Sequence, residues 1–386
     1  MNPLIAWRPE FPILETCTYL VSHSLGAMPR RARAYVQRFA DQWDQRGVRA
    51  WHEGWWEIGR DTGNVLAPIL GVPRDTVSMH QNATVAQSIV ASCFAYDAPR
   101  NRILLQDLDF PTNHYLFEGF RRYGADVVYV PSDDAVQAST ERLVDAIDDR
   151  TKLVALSLVL FRSSHLQDVK PVVDRAHRVG ARVVLDVYQA AGTVPLDLEA
   201  LGVDFAVGGS VKWLCGGPGA GYLYVRSDLI KTLRPAIVGW AAHDDPFGFE
   251  TGPIRCADGI ERFQSGTPNV PALAAARAGY EIVAKVGVPV IRARSLELTR
   301  RLMDAFERRG WRLNMPVVDR QRGGSVIVDV PNGQQVADEL IRRQVIVDYR
   351  PNAGIRIAPH FYNSEADIDK AVAVMDAVID ETVRVP

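Results

Sequence analysis

The sequence predicts an α/β fold: a mostly parallel sheet wrapped by helices, with a smaller α+β C-terminal domain. Three observations predict it. Apolar runs of strand length alternate with helical stretches through the middle of the chain. Those runs are almost continuously apolar, as strands are when both faces of their sheet are covered. After about residue 282 the rhythm changes to short strands set around one helix, behind a long amphipathic one.

The elements follow in order. "NRILLQDL" (101–108) reads as a buried strand. "TNHYLFEGFRRYG" (112–124) reads as a helix ended by Gly124. "ADVVYVP" is a strand stopped by Pro131. "STERLVDAID" (139–148) is a helix with Ser139 or Thr140 at its N-cap. "TKLVALSLVLF" (151–161) is a strand, "VKPVVDRAHRVG" (169–180) a helix closed by Gly180, and "ARVVLDVYQ" (181–189) the next strand. A short helix in "VPLDLEALGV" leads to the strand "DFAVGGS" (204–210), and "YLYVR" reads as another. In the C-terminal part, "PVIRARSLELTRRLMDAFERRG" (289–310) is a long amphipathic helix. "GGSVIVDV", "VIVDYR" and "GIRIAP" are strands around the helix "GQQVADELIRRQ". The expected organisation is a segment 1–40 joining the small domain, a large domain 41–282 and a small domain 283–386.

Composition narrows the function. The chain has 386 residues, of which 47% are hydrophobic and 23% charged, enough for a large core. The net charge is −2 and no polybasic run is present, so neither nucleic acid nor a membrane surface is an expected partner. "MNPLIAWRPEFPILE" has no basic start followed by an apolar core, and "LVALSLVLF" is far too short to span a bilayer. Four scattered cysteines, Cys17, Cys93, Cys215 and Cys256, form no C-x-x-C pair. They read as reduced thiols in a cytoplasmic protein, not a disulfide frame or zinc site. "HEGWW" is not H-E-x-x-H, so no metal is expected.

The chemistry concentrates around one lysine. Lys212 lies in "DFAVGGSVKWLCGGPGAGYLYV" (204–225), among apolar and small residues where an ammonium is costly unless paired, neutral or covalently used. Open α/β sheets bind ligands at the carboxyl ends of their strands. Asp186 ends "RVVLD", Ser157 lies in the preceding strand, and Lys212 follows the next. An acid and a lysine meeting there suit pyridoxal phosphate, which takes a lysine as a Schiff base and needs a carboxylate at its pyridine nitrogen. Read singly, Asp186 is as well explained by helix capping and Lys212 by a surface position with a packed stem. "GGPGAG" does not fit G-x-G-x-x-G, and reads as a turn bringing backbone close to a cofactor or as a plain tight turn. Thr84, where a helix begins in "HQNATVAQSIVAS", and Thr267, in "SGTPNVPAL", offer hydroxyls for a phosphate; ordinary capping explains Thr84 equally. Phe110 directly follows a strand, placed either to cover a cofactor or to fill core. Arg356 alternates with Ile355 and Ile357, and with Arg350 is a candidate clamp for a substrate carboxylate or part of a solvated strand face. "RAWHEGWWEIG" (49–59), with His52, would line an aromatic pocket or pack a helix.

These residues resemble a known family. The Lys212 segment looks like the lysine segment of kynureninases, members of the class V aminotransferase superfamily with the fold-type I architecture. "YLVSHSLGAMP" resembles the family's N-S-L-G segment, "FPTNHY" its F-P-(S/T)-D-H-Y, and "LFRSSHLQD" its Y-R-T-G-x-x-x-D. "VGWAAH" resembles G-W-F-G-H, and "RFQSGTP" resembles R-F-x-x-G-T. The matches keep their order over most of the chain. The resemblance implies that Lys212 holds pyridoxal phosphate and shuttles protons, that Asp186 pairs with the ring nitrogen, and that Phe110 stacks on the ring. It implies that Ala83, Thr84, Trp240 and Thr267 hold the phosphate, the last two from a partner subunit of a homodimer, with Ser157 near the ring. Arg356 would clamp the substrate carboxylate and His52 would face its side chain. The chain departs from the pattern at Gln189, where the family has histidine and related cysteine desulfurases have glutamine. It departs again at Val211, before the lysine, at Asn113 in place of aspartate, and at His23 in place of asparagine. The implied reaction is hydrolytic Cβ–Cγ cleavage of kynurenine or a related aryl amino acid. A class V aminotransferase, epimerase or carbon–sulfur lyase is the second reading, and a binding or regulatory homologue without catalysis the third.

Overall fold

The computed structural model describes residues 3–384. Thirteen strands are named here in chain order: β1 (Thr18–Tyr19), β2 (Val77–His80), β3 (Arg102–Gln106), β4 (Asp126–Val130), β5 (Thr151–Ser157), β6 (Arg182–Asp186), β7 (Phe205–Gly209), β8 (Gly221–Val225), β9 (Arg312–Leu313), β10 (Val326–Asp329), β11 (Val345–Ile346), β12 (Asp348–Arg350) and β13 (Gly354–Ile357). Strands β2 to β8 form one seven-stranded sheet in the order β2-β8-β7-β6-β5-β3-β4. β8 runs antiparallel to both its neighbours, β2 and β7, and the other pairings are parallel. This is the mostly parallel, helix-wrapped sheet that the apolar runs predict.

The period-2 alternation of strands explains the continuous apolar runs. In β5, Val154 and Leu156 join one core layer while Leu153 and Ala155 join the layer on the opposite face. In β6, Val183 and Leu185 face the first layer and Val184 the second. A strand buried on both faces has no position left for a polar residue except at its ends. The chemistry-bearing side chains of β5 and β6 sit there.

A second sheet, antiparallel and ordered β12-β13-β10-β9, lies in the C-terminal part. Ile355 and Ile357 of β13 pack with Leu298, Leu302 and Phe306 of the helix Val288–Glu307, and with Val336 and Leu340 of the helix Gly333–Arg342. The N-terminal segment is sewn to this part and to the large sheet. β1 pairs in parallel with β11, and Ala358 N–H donates to the Leu20 carbonyl at 2.7 Å. Gly26 N–H donates to the Val211 carbonyl at 2.8 Å, one residue from Lys212.

Three expected elements differ in detail. The helix expected over 112–124 begins at Pro111, becomes a tighter turn over Gly119–Tyr123, and ends at Gly124 with φ of 94°. Proline suits the first helical position because it has no N–H to lose there. The strand expected over 151–161 stops at Ser157, and Val159 then pairs antiparallel with Leu166 as the chain doubles back. "VIVDYR" is two strands in two sheets: β11 pairs with β1 and β12 with β13. Among the described residues no helix is long and apolar enough to cross a membrane.

Candidate active site

The parallel register sets the site. Ser157 and Asp186 are direct partners at the carboxyl ends of β5 and β6, and Asp186 is in turn opposite Val207 of β7. Lys212 lies three residues beyond the end of β7, so three strand ends deliver a hydroxyl, a carboxylate and an amine to one cavity. A cavity of about 200 Å³ opens there. Of the residues named from sequence, Ala83, Thr84, Phe110, Asn113, Ser157, Asp186, Gln189 and Lys212 line it. A larger groove of about 920 Å³ runs elsewhere, past Asp134, Asp168, Lys170 and Asp197.

Lys212 and Asp186 are both perturbed by burial. The Lys212 amine lies 4.3 Å from the ring centroid of Tyr188 and 5.7 Å from that of Phe110. Desolvation pulls it down to about 8, against the opposing pull of Asp186. Desolvation pushes Asp186 up to about 6, although Tyr188 N–H donates to its Oδ1 at 2.8 Å and Lys212 favours its charged form. A cationic ring nitrogen placed against this carboxylate would restore its ionised form. A lysine held near 8 keeps a usable share of neutral, nucleophilic amine at physiological pH.

The same cavity is lined by groups that suit an anion. Asn82 caps the helix Ala83–Ala91 by accepting the Val85 N–H at 2.9 Å. Ala83 and Thr84 stand in the first turn, where backbone N–H groups have no intrahelical acceptor and the helix dipole is positive. They line the cavity. Anion donors, a carboxylate and an amine lining one cavity fit a flat aldehyde bearing a phosphate and a basic ring nitrogen.

Other polar groups are already committed. Gln87 donates to Asn113 Oδ1 at 2.9 Å. The Gln189 amide donates to the His23 carbonyl and accepts the Trp213 indole N–H, both at 3.1 Å. Arg356 is buried behind the cavity wall and donates to the carbonyl of Phe161, a lining residue, at 2.6 Å. His23 is also buried, and desolvation and Arg356 lower it to about 4 against its hydrogen bond to Asp348. Trp240, Thr267 and His52 lie outside this chain's cavity. Trp240 and His52 belong to an exposed aromatic cluster with Trp56, Phe247 and Phe249, and Thr267 is exposed. The "RAWHEGWWEIG" segment packs against Phe39 and Phe247 and lines no part of the cavity.

The structure adds residues that sequence reasoning passed over. Tyr188 forms a wall, and its hydroxyl lies so near β7 that a Cβ on Gly209 would stand 2.4 Å from it. Asp109, buried, accepts the Ser157 N–H at 2.8 Å and the Gln106 amide at 2.9 Å, fixing the turn that presents Phe110. The adjacency of both residues to named ones was the available signal. The glycines after Lys212 do not reach the cavity. Gly217 and Gly219 adopt φ of 71° and 92°, and a Cβ on Gly221 would stand 2.5 Å from Asn82 backbone. They make a tight turn and let β8 approach the helix cap.

Comparison with known proteins decides the family. The family model for class V aminotransferases matches residues 18–370. The chain belongs to that family, as a kynureninase-like member. It is 32% identical to a kynureninase of Deinococcus radiodurans over 98% of this chain and 94% of that protein. It is 29% identical to a kynureninase of Bacillus cereus, over 97% and 91% respectively. Among solved structures, a cysteine desulfurase of Thermococcus onnurineus superposes with a TM-score of 0.87 at 19% identity, covering 97% of this chain and 98% of that one. The lyase C-DES, as a variant with glycine linked to its pyridoxal phosphate, gives a TM-score of 0.86 at 22% identity, covering 96% and 99%. These structural likenesses show the fold, that of fold-type I enzymes. The class V enzyme described here uses pyridoxal 5′-phosphate.

Proposed function

We propose that this chain is a kynureninase-like hydrolase, cleaving the Cβ–Cγ bond of kynurenine or a related aryl amino acid to give alanine and an aromatic acid. The observation that carries the reading is likeness to kynureninases along nearly the whole chain, with a lysine–aspartate pair in the one cavity where three strand ends meet. In this reading Lys212 anchors the cofactor, Asp186 faces its ring nitrogen, Phe110 covers the ring, and Ala83 and Thr84 receive the phosphate. Asn113, Ser157 and Gln189 complete its surround. Arg356 receives the substrate carboxylate, with His23 beside it. We also propose a homodimer in which Trp240, Thr267 and His52 of each copy reach the site of the other.

The bound cofactor supplies an electron sink that makes the substrate Cα–H acidic. Lys212 Nζ, perturbed towards neutrality, takes that proton and returns one to carbon later in the cycle. Water adds to the Cγ carbonyl, the Cβ–Cγ bond breaks with its electron pair left on Cβ, and Cβ takes a proton to become the methyl group of alanine. Phe110, Phe161 and Tyr188 give the cavity walls that keep bulk water from the reacting carbons.

Gln189 favours a second reading, a carbon–sulfur lyase or desulfurase. A desulfurase needs a reactive thiol at the site, and none of the four cysteines lines the cavity. Burial pushes the Cys215 thiol up to about 12. The deciding experiment adds L-kynurenine to the cofactor-loaded protein and follows anthranilate fluorescence and the cofactor's visible band. Anthranilate release that is lost in Lys212→Ala supports the proposal. A band that responds to L-cysteine and not to L-kynurenine would replace it with the second reading.

A further inference from the structure

The guanidinium expected to meet the substrate carboxylate is already held by an acid. Arg356 donates through Nε to Asp348 Oδ1 at 2.8 Å and through Nη2 to Oδ2 at 2.6 Å, a two-point fork. Its Nη1 donates to the Phe161 carbonyl at 2.6 Å. Of the five N–H groups of a guanidinium, one on each terminal nitrogen remains. Asp348 has two more partners. The buried His23 donates through Nε2 at 3.1 Å, and Arg350 approaches Oδ2 at 3.1 Å. His23 is held well below its ordinary pKa and is neutral, so the cluster carries two arginine charges against one carboxylate.

We propose that Asp348 is a positioning residue that turns the two free Arg356 hydrogens towards the ligand and, by trimming the cluster to a single positive charge, matches the site to amino acids with one carboxylate rather than two. The proposal rests on the reading that the cavity takes an α-amino acid, and it does not depend on kynurenine turnover. Three facts support it. Asp348 contacts Arg356 by a fork, so it fixes the plane of the guanidinium as well as its charge. Arg356 is 3% exposed, so the counter-charge acts where water screens little. The cluster touches the cavity through the Phe161 carbonyl, whose ring lies edge-on to Phe110 at 5.1 Å.

The test uses the cofactor-loaded protein and reads binding from the change in the cofactor's visible band on adding L-alanine or L-aspartate. In the wild type L-alanine should bind at least tenfold more tightly than L-aspartate. In Asp348→Asn the fork and the negative charge are lost together, so L-alanine affinity should fall at least tenfold while the ratio moves at least tenfold towards L-aspartate. Arg350→Gln, at a more exposed position, should weaken L-alanine several-fold without moving the ratio towards L-aspartate, and keeps the test alive if Asp348→Asn fails to fold. An unchanged alanine-to-aspartate ratio in Asp348→Asn, or an Arg350→Gln protein that gains preference for L-aspartate, overturns the proposal. A wild-type band that answers neither amino acid overturns it together with the reading it rests on.

Discussion

Lowering the Lys212 pKa has a measurable price in pH. Held near 8 in place of its ordinary 10.5, the amine is about 9% neutral at pH 7, against about 0.03% for a free lysine, a gain of about 300-fold worth about 3 kcal/mol. Only the neutral amine attacks an aldehyde, so apoprotein mixed with pyridoxal phosphate should form its visible band at a rate that rises with pH and levels off above about 8. The same reasoning fixes the direction of a second measurement. Asp186 raises the Lys212 pKa by attraction, so Asp186→Asn should move the midpoint below 8. The assay is stopped-flow absorbance across pH 6 to 10, with a lysine-blocked control to remove non-specific capture. A midpoint near 10 in the wild type, or one that moves upward in Asp186→Asn, would refute the claim that desolvation governs this amine.

Gly209→Ala would set a methyl 2.4 Å from the Tyr188 hydroxyl. The ring should be displaced from its place over Lys212, and pyridoxal-phosphate affinity should fall at least tenfold, read by titrating apoprotein. Gly26→Ala would place a methyl 2.0 Å from the Lys212 carbonyl oxygen, a backbone atom; a loss of about 3 kcal/mol is expected by denaturant unfolding. Buried His23, His80 and His360 are each lowered to about 4, chiefly by desolvation. Their contribution is complete above the unfolded value near 6.5 and is lost as pH falls towards 4, at up to about 4 kcal/mol per pH unit for the three together, measured from unfolding midpoints at pH 7, 6 and 5. Cys215→Ala should leave turnover of L-kynurenine within about threefold, because the thiol is buried away from the cavity; a larger loss would refute that placement.

The large sheet was legible because its strands are buried on both faces, which writes them as unbroken apolar runs: "KLVAL" and "RVVLD" contain no solvent side to blur the pattern. Lys212 and Asp186 stood out for the complementary reason, being charges at the ends of such runs. What could not be read depends on contacts between distant segments. "VIVDYR" carries one apolar pattern across Val345–Arg350, and nothing local says that its first half belongs to the N-terminal segment and its second to β13. Asp348 therefore looked like an ordinary strand residue, and its fork with Arg356 came into view only with the register of β12 and β13. Tyr188 was hidden differently. Its side chain is long enough to lie over Lys212 or away from it, and the missing Cβ of Gly209 on the next strand decides which.

The stitching of residues 18–26 to both halves of the chain bears on how the protein is made. A ribosome releases β1 first and β11 more than three hundred residues later, yet β1 has no sheet partner until β11 appears. The Tyr362 hydroxyl, which bonds Ser22 Oγ at 2.8 Å and accepts the Ala27 N–H at 3.3 Å, emerges later still. The large sheet can close on the nascent chain before His23 and Arg356, which sit behind the cavity, are held in place. Until then Arg356 lacks the Asp348 fork that orients it. Full activity should therefore appear only once β11 and Tyr362 have joined the N-terminal segment, in a slow step that follows closure of the sheet.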